Sequence, residues 1–165
     1  MENALRLCIQ DTPSHAQHMV CTAQIHHDNH RIKARSLIDT GASSLFVSSN
    51  FVRANQIPTL ECKPRVCRIA DGSVVQINRQ ALITTRIGDH VDQALHYVTG
   101  LQNYDTVLGL AWLEEHNPSL DFADRTVHFN KAHCVKNCLI LNRPCLISVD
   151  GRGRTTTAEH PEHDH

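Results

Sequence analysis

The sequence predicts an all-β domain. Three observations carry this. Short runs rich in Val, Ile, Leu and Thr recur along the chain and are separated by turn residues. An Asp-Gly pair, Asp71-Gly72, sits between two β-rich arms, Val66 to Ile69 and Val74 to Ile77, which is a strong local hairpin signal. The apolar pair Leu37-Ile38 runs into Asp39-Thr40-Gly41-Ala42-Ser43-Ser44, as a strand does when it opens into a tight loop.

In chain order, Leu5 to Ile9 is a short apolar piece read as an edge strand, and Asp11 to Ala16 is turn-like. Met19 to Ile25 is a strand in which Val20, Thr22 and Gln24 oppose Met19, Cys21, Ala23 and Ile25. His26 to His30 forms a polar hairpin turn, and Ile32 to Ile38 returns to deliver Asp39. Leu45-Phe46-Val47 is strand-like. Ser48 or Ser49 is placed to cap a short helix through Phe51, Val52 and Asn55, with Pro58 beyond its end. Ala81 to Ile87 is a strand turned at Gly88-Asp89, and Val91 to Val98 is the next. Val107-Leu108 ends a strand at Gly109. Leu110, Trp112 and Leu113 continue on a helix that Asn117-Pro118 stops. Ser119 to Phe122 and Thr126 to Phe129 form a last hairpin.

A carboxylate in a loop such as that of Asp39 is costly unless hydrogen-bonded or shared, so it is a candidate for chemistry. Gly41 is expected to take backbone angles closed to other residues and so to turn the loop sharply. The plain alternative is a β-turn, for which Asp, Thr and Gly are ordinary residues.

Composition narrows the function. The chain has 165 residues, which favours one domain with a sizeable core. A formal net charge of −1 gives no basic stripe, so nucleic-acid binding is not expected. No apolar run approaches membrane-spanning length, and the N-terminus lacks a basic region followed by an apolar segment, so neither a membrane segment nor a signal peptide is read. Seven cysteines at irregular spacing then read as reduced thiols in an intracellular chain. Thirteen histidines is a high count. His133-Cys134 with Cys138 looks metal-like, but neither Cys62 with Cys67 nor Cys145 makes a clean second half for a four-ligand zinc site, so no metal is expected. Residues 150–165 are polar and Gly/Thr-rich and read as a disordered tail or a joint to a further segment.

Three motifs in order bring a family into view. Asp39-Thr40-Gly41-Ala42-Ser43 resembles the active-site motif of retropepsins, the aspartic proteases of retroviruses and LTR retrotransposons. Ala70-Asp71-Gly72-Ser73 falls where that family carries its flap tip. Val107-Leu108-Gly109, followed by a helix, resembles its second hallmark. The run from Val107 through His116-Asn117-Pro118 and Leu120-Asp121-Phe122 to Phe129 is similar to gypsy-type retrotransposon polyproteins. Retroviral members carry arginine after the hallmark glycine, where this chain has Leu110; gypsy-type relatives often have an apolar residue there.

The resemblance implies a retropepsin-like closed β-barrel with a flap hairpin and one short C-terminal helix, working as a homodimer. It implies a domain over residues 19–130, an N-terminal extension or edge strand over 1–18, and a C-terminal extension over 131–165 that is partly disordered or joins a downstream polyprotein segment. It implies an aspartic endopeptidase in which each subunit gives one catalytic Asp39, because this chain holds a single Asp-Thr-Gly. Thr40 would brace the two loops across the dimer axis, Gly41 would contact substrate, and Ala42 would keep the wall small. Ile69, Ala70, Asp71, Gly72, Ser73 and Val74 would form the flap. Val47, Ile77, Val107 and Leu108 are candidate wall residues. No cofactor is implied. The substrate would be a polypeptide, the element's own Gag-Pol polyprotein, cleaved in the cytoplasm or in virus-like particles. A lapsed protease kept as a dimerisation or binding module is the alternative.

Overall fold

The computed structural model describes residues 19–68, 74–149 and 155–157. The chain is mostly β. A seven-stranded sheet comprises β1 (Met19–His27), β2 (His30–Ile38), β3 (Leu45–Ser48), β4 (Leu60–Arg68), β5 (Val74–Ile87), β6 (His90–Thr99) and β7 (Thr106–Leu108). Its order is β1-β2-β7-β3-β6-β5-β4. A further pairing of β1 with β5, Ile25 opposite Thr85, closes six of these strands into a barrel. Closure leaves β4 as the outlying strand. It holds Pro64, and its register with β5 slips between Glu61 and Arg65, as an edge strand tolerates.

Local chemistry accounts for the connections. The β1–β2 turn is only Asp28-Asn29, both at positive φ (47° and 63°), so the polar hairpin expected over His26 to His30 is tighter than the sequence suggested. Ser48 caps helix α1 (Ser49–Ala54) by accepting the Phe51 N–H at 3.3 Å. Asn117, in the left-handed conformation, ends helix α2 (Leu110–His116) just before Pro118. Val74–Ile77 and Ala81–Ile87 form one strand rather than two. Asn78-Arg79-Gln80 holds no Gly or Pro to break it, and β5 changes partners along its length instead.

The chain after residue 130 differs from expectation. Helix α3 (Ala132–Asn137) and strand β10 (Cys145–Val149) follow, and β11 (Thr155–Thr157) pairs with β10 where the sequence suggested a disordered tail. With β8 (Ser119–Asp121) and β9 (Thr126–Phe129) they form a second sheet in the order β11-β10-β9-β8. Among the described residues three short helices are present: α1 and α2, where the sequence placed helices, and α3, which it did not foresee. The apolar faces explain the difference: Cys134, Cys138, Leu139, Cys145, Ile147 and Val149 are buried in the same cluster as Met19, Cys21, Ile38, Leu108, Trp112 and Phe129. The second sheet thus covers one side of the barrel. The expected edge strand at Leu5 to Ile9 lies outside the described residues.

Candidate active site

The active-site loop is built by register. β2 and β7 run parallel with Leu37 opposite Val107 and Ile38 opposite Leu108. The two apolar pairs end side by side, and the next residues, Asp39 and Gly109, emerge together. The Asp39 N–H donates to the Leu108 carbonyl at 3.1 Å. Upstream, the buried hydroxyls of Ser36 and Thr106 meet at 2.5 Å and tie the two strands through their side chains.

Gly109 is required by close approach. A Cβ there would meet the Ala42 carbonyl oxygen at 2.5 Å and run into that of Ser44 as well. The absence of a side chain lets α2 start against the loop, with the Leu110 N–H donating to Ala42 O at 2.6 Å and the Ala111 N–H to Ser43 O at 3.2 Å. The loop carbonyls and the first free N–H groups of the helix satisfy one another.

Asp39 itself is half-buried, and its Oδ1 accepts the Gly41 N–H at 2.9 Å. Among the described residues no other donor reaches that carboxylate. Among the described glycines Gly88 is the one at positive φ, so Gly41 turns the loop without the left-handed region. Its contribution is the N–H that fixes the carboxylate. Thr40 is exposed, Ala42 is fully buried, and Ser43 is exposed.

Beside the loop lies a cleft of about 310 Å³ lined by Ser43, Ser44, Phe46, Arg65, Ile77 and Tyr97 among others. The Arg65 guanidinium lies 5.0 Å from the Tyr97 ring centroid on its wall. Of the four expected wall residues, Ile77 lines this cleft, whereas Val47, Val107 and Leu108 are wholly buried core. The motif Val107-Leu108-Gly109 therefore builds the site from beneath. Of the expected flap, Val74 begins β5, whose pairing with Arg68 closes toward a hairpin. Ile69, Ala70, Asp71, Gly72 and Ser73 lie outside the described residues.

A second constellation lies at the far end of α2. His90, His116, Cys134 and Cys138 are all buried, with one ligand-type atom from each lying within 4.8 Å of the others. The sequence pointed to Cys134 and Cys138 but paired them with His133, whose side chain is 46% exposed and stands beside Glu115. The missing partners come from the start of β6 and the end of α2. Their distance along the chain hides them; the signal that was available is His116 closing a helix shortly before a Cys-x3-Cys. Burial holds His90 down to about pKa 3, reinforced by His116 and then His133. It pushes the Cys134 thiol up to about 12, with Cys138 the next cause. Asp92, which faces both imidazoles, is raised to about 6 by burial against the opposing hydrogen bond from Trp112.

The PEG10/RTL1 protease domain family matches residues 35–138, which spans β2 through α3 and both constellations. The chain belongs to that family. Two solved structures are similar over most of the chain. The retroviral protease-like domain of Ddi1 from Leishmania major aligns with a TM-score of 0.47 and 12% identity, over 71% of this chain and 86% of that one. A Legionella pneumophila protein of unknown function, Lpg0085, aligns with a TM-score of 0.40 and 18% identity, over 62% and 89%. The protease-domain family and the closed six-stranded barrel agree with the fold that the sequence resemblance implied.

Proposed function

We propose that this chain is an aspartic endopeptidase that works as a homodimer, each subunit giving one Asp39. The observation that carries the reading is the Asp39 carboxylate. It accepts the Gly41 N–H at the mouth of a braced loop, half-buried, with a cleft of about 310 Å³ beside that loop. Within one chain the mechanism is incomplete. Hydrolysis by water needs a base to take the water proton and an acid to protonate the scissile carbonyl oxygen. Two carboxylates about 3 Å apart share one proton and so supply both roles, as the handful of well-characterised aspartic proteases do.

The chain has one Asp-Thr-Gly, so the second carboxylate comes from a second copy across a twofold axis. One carboxylate takes the proton of water as its oxygen bonds to the carbonyl carbon, and the other protonates the carbonyl oxygen. Collapse of the tetrahedral species breaks the C–N bond: the amine leaves with the proton that the first carboxylate took from water, and a hydroxyl proton returns to the second, so the pair again shares one proton. Thr40, exposed at the loop, faces the mate and braces the paired loops. Residues 69–74 close over an extended peptide, whose apolar side chain enters the cleft between Phe46, Ile77 and Tyr97. The substrate is a polypeptide, in the first instance a polyprotein that includes this domain. This extends the gypsy-type resemblance of residues 107–129.

A lapsed protease acting as a binding module is the second reading. It is favoured by Leu110, which is 42% exposed at the start of α2 beside the active-site loop. One assay separates the two. The purified chain is incubated at mildly acidic pH with a peptide mixture, with and without an aspartic-protease inhibitor, and products are read by mass spectrometry. Inhibitor-sensitive cleavage whose specific activity falls on dilution is expected. Constant specific activity at concentrations where sedimentation finds only monomers rules out the split site, and no cleavage from a sedimenting dimer favours the binding module.

A further inference from the structure

We propose that His90, His116, Cys134 and Cys138 form a structural zinc site that locks the second sheet and helix α2 onto the barrel. Four of the six distances between the ligand atoms are close to the edges of a zinc tetrahedron, and all six lie within 4.8 Å. Zinc bonds of about 2.0–2.1 Å to nitrogen and about 2.3 Å to sulfur set tetrahedral edges of about 3.3 Å between nitrogens and about 3.5 Å between nitrogen and sulfur. The His90 Nε2 to His116 Nδ1 distance is 3.3 Å. Cys134 Sγ lies 3.4 Å from each of these nitrogens, and Cys138 Sγ lies 3.7 Å from His116 Nδ1.

The surroundings fit a metal rather than a chance meeting of polar groups. Both imidazoles turn their remaining nitrogens to one carboxylate: His90 Nδ1 is 3.7 Å from Asp92 Oδ1, and His116 Nε2 is 3.7 Å from Asp92 Oδ2. At 3.7 Å neither contact is a hydrogen bond, and His90 Nδ1 and Asp92 Oδ1 are buried without a hydrogen-bond partner among the described residues; a metal on the inner nitrogens would place the outer N–H groups toward Asp92. Asp92 is itself held by the Trp112 indole N–H at 3.1 Å. The Phe129 ring stacks on His90 at 4.1 Å between centroids, so the centre has an apolar shell. A cavity of about 480 Å³, lined by Asp92, Glu115, His116, His133 and Cys138, gives a route in from solvent.

Binding is balanced simply. Zn²⁺ displaces two thiol protons to solvent, two Zn–S and two Zn–N bonds form, and the centre is left without net charge. All four protein positions are filled, which marks a structural rather than a catalytic site. The four ligands come from the start of β6, the end of α2 and α3. The site therefore joins residues 131–149 to the barrel and anchors the helix whose first turn supports the Asp39 loop.

The test uses the full chain and does not depend on proteolysis. Chain produced with zinc present is analysed for metal, then stripped with a chelator and titrated with Co²⁺ alone. One zinc per folded chain is expected. Cobalt at one equivalent should give the intense visible bands of a tetrahedral centre and a thiolate charge-transfer band, both abolished by Zn²⁺. If stripping unfolds the chain, cobalt-driven refolding with those bands carries the same meaning. Asp92→Asn should keep the bands and lower affinity about 10–100-fold. Cys138→Ser should weaken the charge-transfer band, while Cys62→Ser leaves everything unchanged. A folded chain that holds no zinc and gives no thiolate band with cobalt overturns the site, as does a band undiminished in the Cys134→Ser, Cys138→Ser double variant. The wild-type measurements decide alone if those variants do not fold.

Discussion

The two ends of helix α2 hold opposite kinds of site. At its start, the Asp39 loop is open: Asp39 is half-buried and accepts the Gly41 N–H, and Thr40 and Ser43 are exposed. At its end, His90, His116, Cys134 and Cys138 are buried and surrounded by their own supporting shell. On the proposed readings, the first constellation needs a second chain and the second is complete within one, so one short helix would serve chemistry at one end and rigidity at the other. The residues that make a site can be exposed only if something else holds their backbone, and here Gly109 and the chain behind it do so.

The comparison breaks most sharply at Asp39. In a homodimer, Asp39→Asn removes both carboxylates at once, so cleavage should fall by on the order of 10³-fold or more, within what general acid–base catalysis supplies. Asn Oδ1 still accepts the Gly41 N–H, so the thermal midpoint should hold. A purified variant that cleaves as fast as the parent would remove Asp39 from the mechanism.

Gly109 tests whether the two ends are mechanically joined. Gly109→Ala places a methyl group against the carbonyl oxygens of Ala42 and Ser44, which are backbone and cannot swing away. We expect a loss of about 3 kcal/mol in urea unfolding, the upper part of the overpacking range, with the active-site loop displaced. Stability unchanged within error would mean that α2 does not rest on the loop as described.

His96 sharpens the comparison through pH. It is buried in β6, where desolvation lowers it from 6.5 to about 4 despite its hydrogen bond to the Ala94 carbonyl. The unfolded chain takes up this proton first as pH falls. The stabilisation is thus fully present above about pH 6.5, is lost progressively down to about pH 4 and is then exhausted, an upper limit of about 3 kcal/mol. Mildly acidic pH, which suits a carboxylate pair, then costs the barrel stability. Denaturant midpoints for the parent and His96→Asn between pH 4 and 7 should converge at the acid end; parallel curves would reject the assignment.

The smallest expected effect is at the tie between β2 and β7. Ser36→Ala leaves the Thr106 hydroxyl buried without its partner and should cost about 1–2 kcal/mol. Ser36→Ala with Thr106→Val should cost less than the two single changes together. Strict additivity in that cycle would mean the 2.5 Å contact contributes nothing to holding Asp39 beside Gly109.

Much of the barrel was legible in the sequence because its signals are local. Alternation in Met19 to Ile25, the Ser48 cap, the Asn117-Pro118 stop and the apolar pairs before Asp39 and Gly109 each act within a few residues, and each lies in the structure where local rules put it. The position of Asp39 followed from the same kind of evidence. Tertiary structure alone decided what depends on contacts between distant segments. Val47, Val107 and Leu108 became core instead of cleft wall, because barrel closure turned them inward. Residues 131–149 became part of the packed body, because their apolar face had the barrel's outer cluster to cover. His90 and His116 met Cys134 and Cys138 only because β6, α2 and α3 converge there; no local spacing rule reaches the 44 positions from His90 to Cys134.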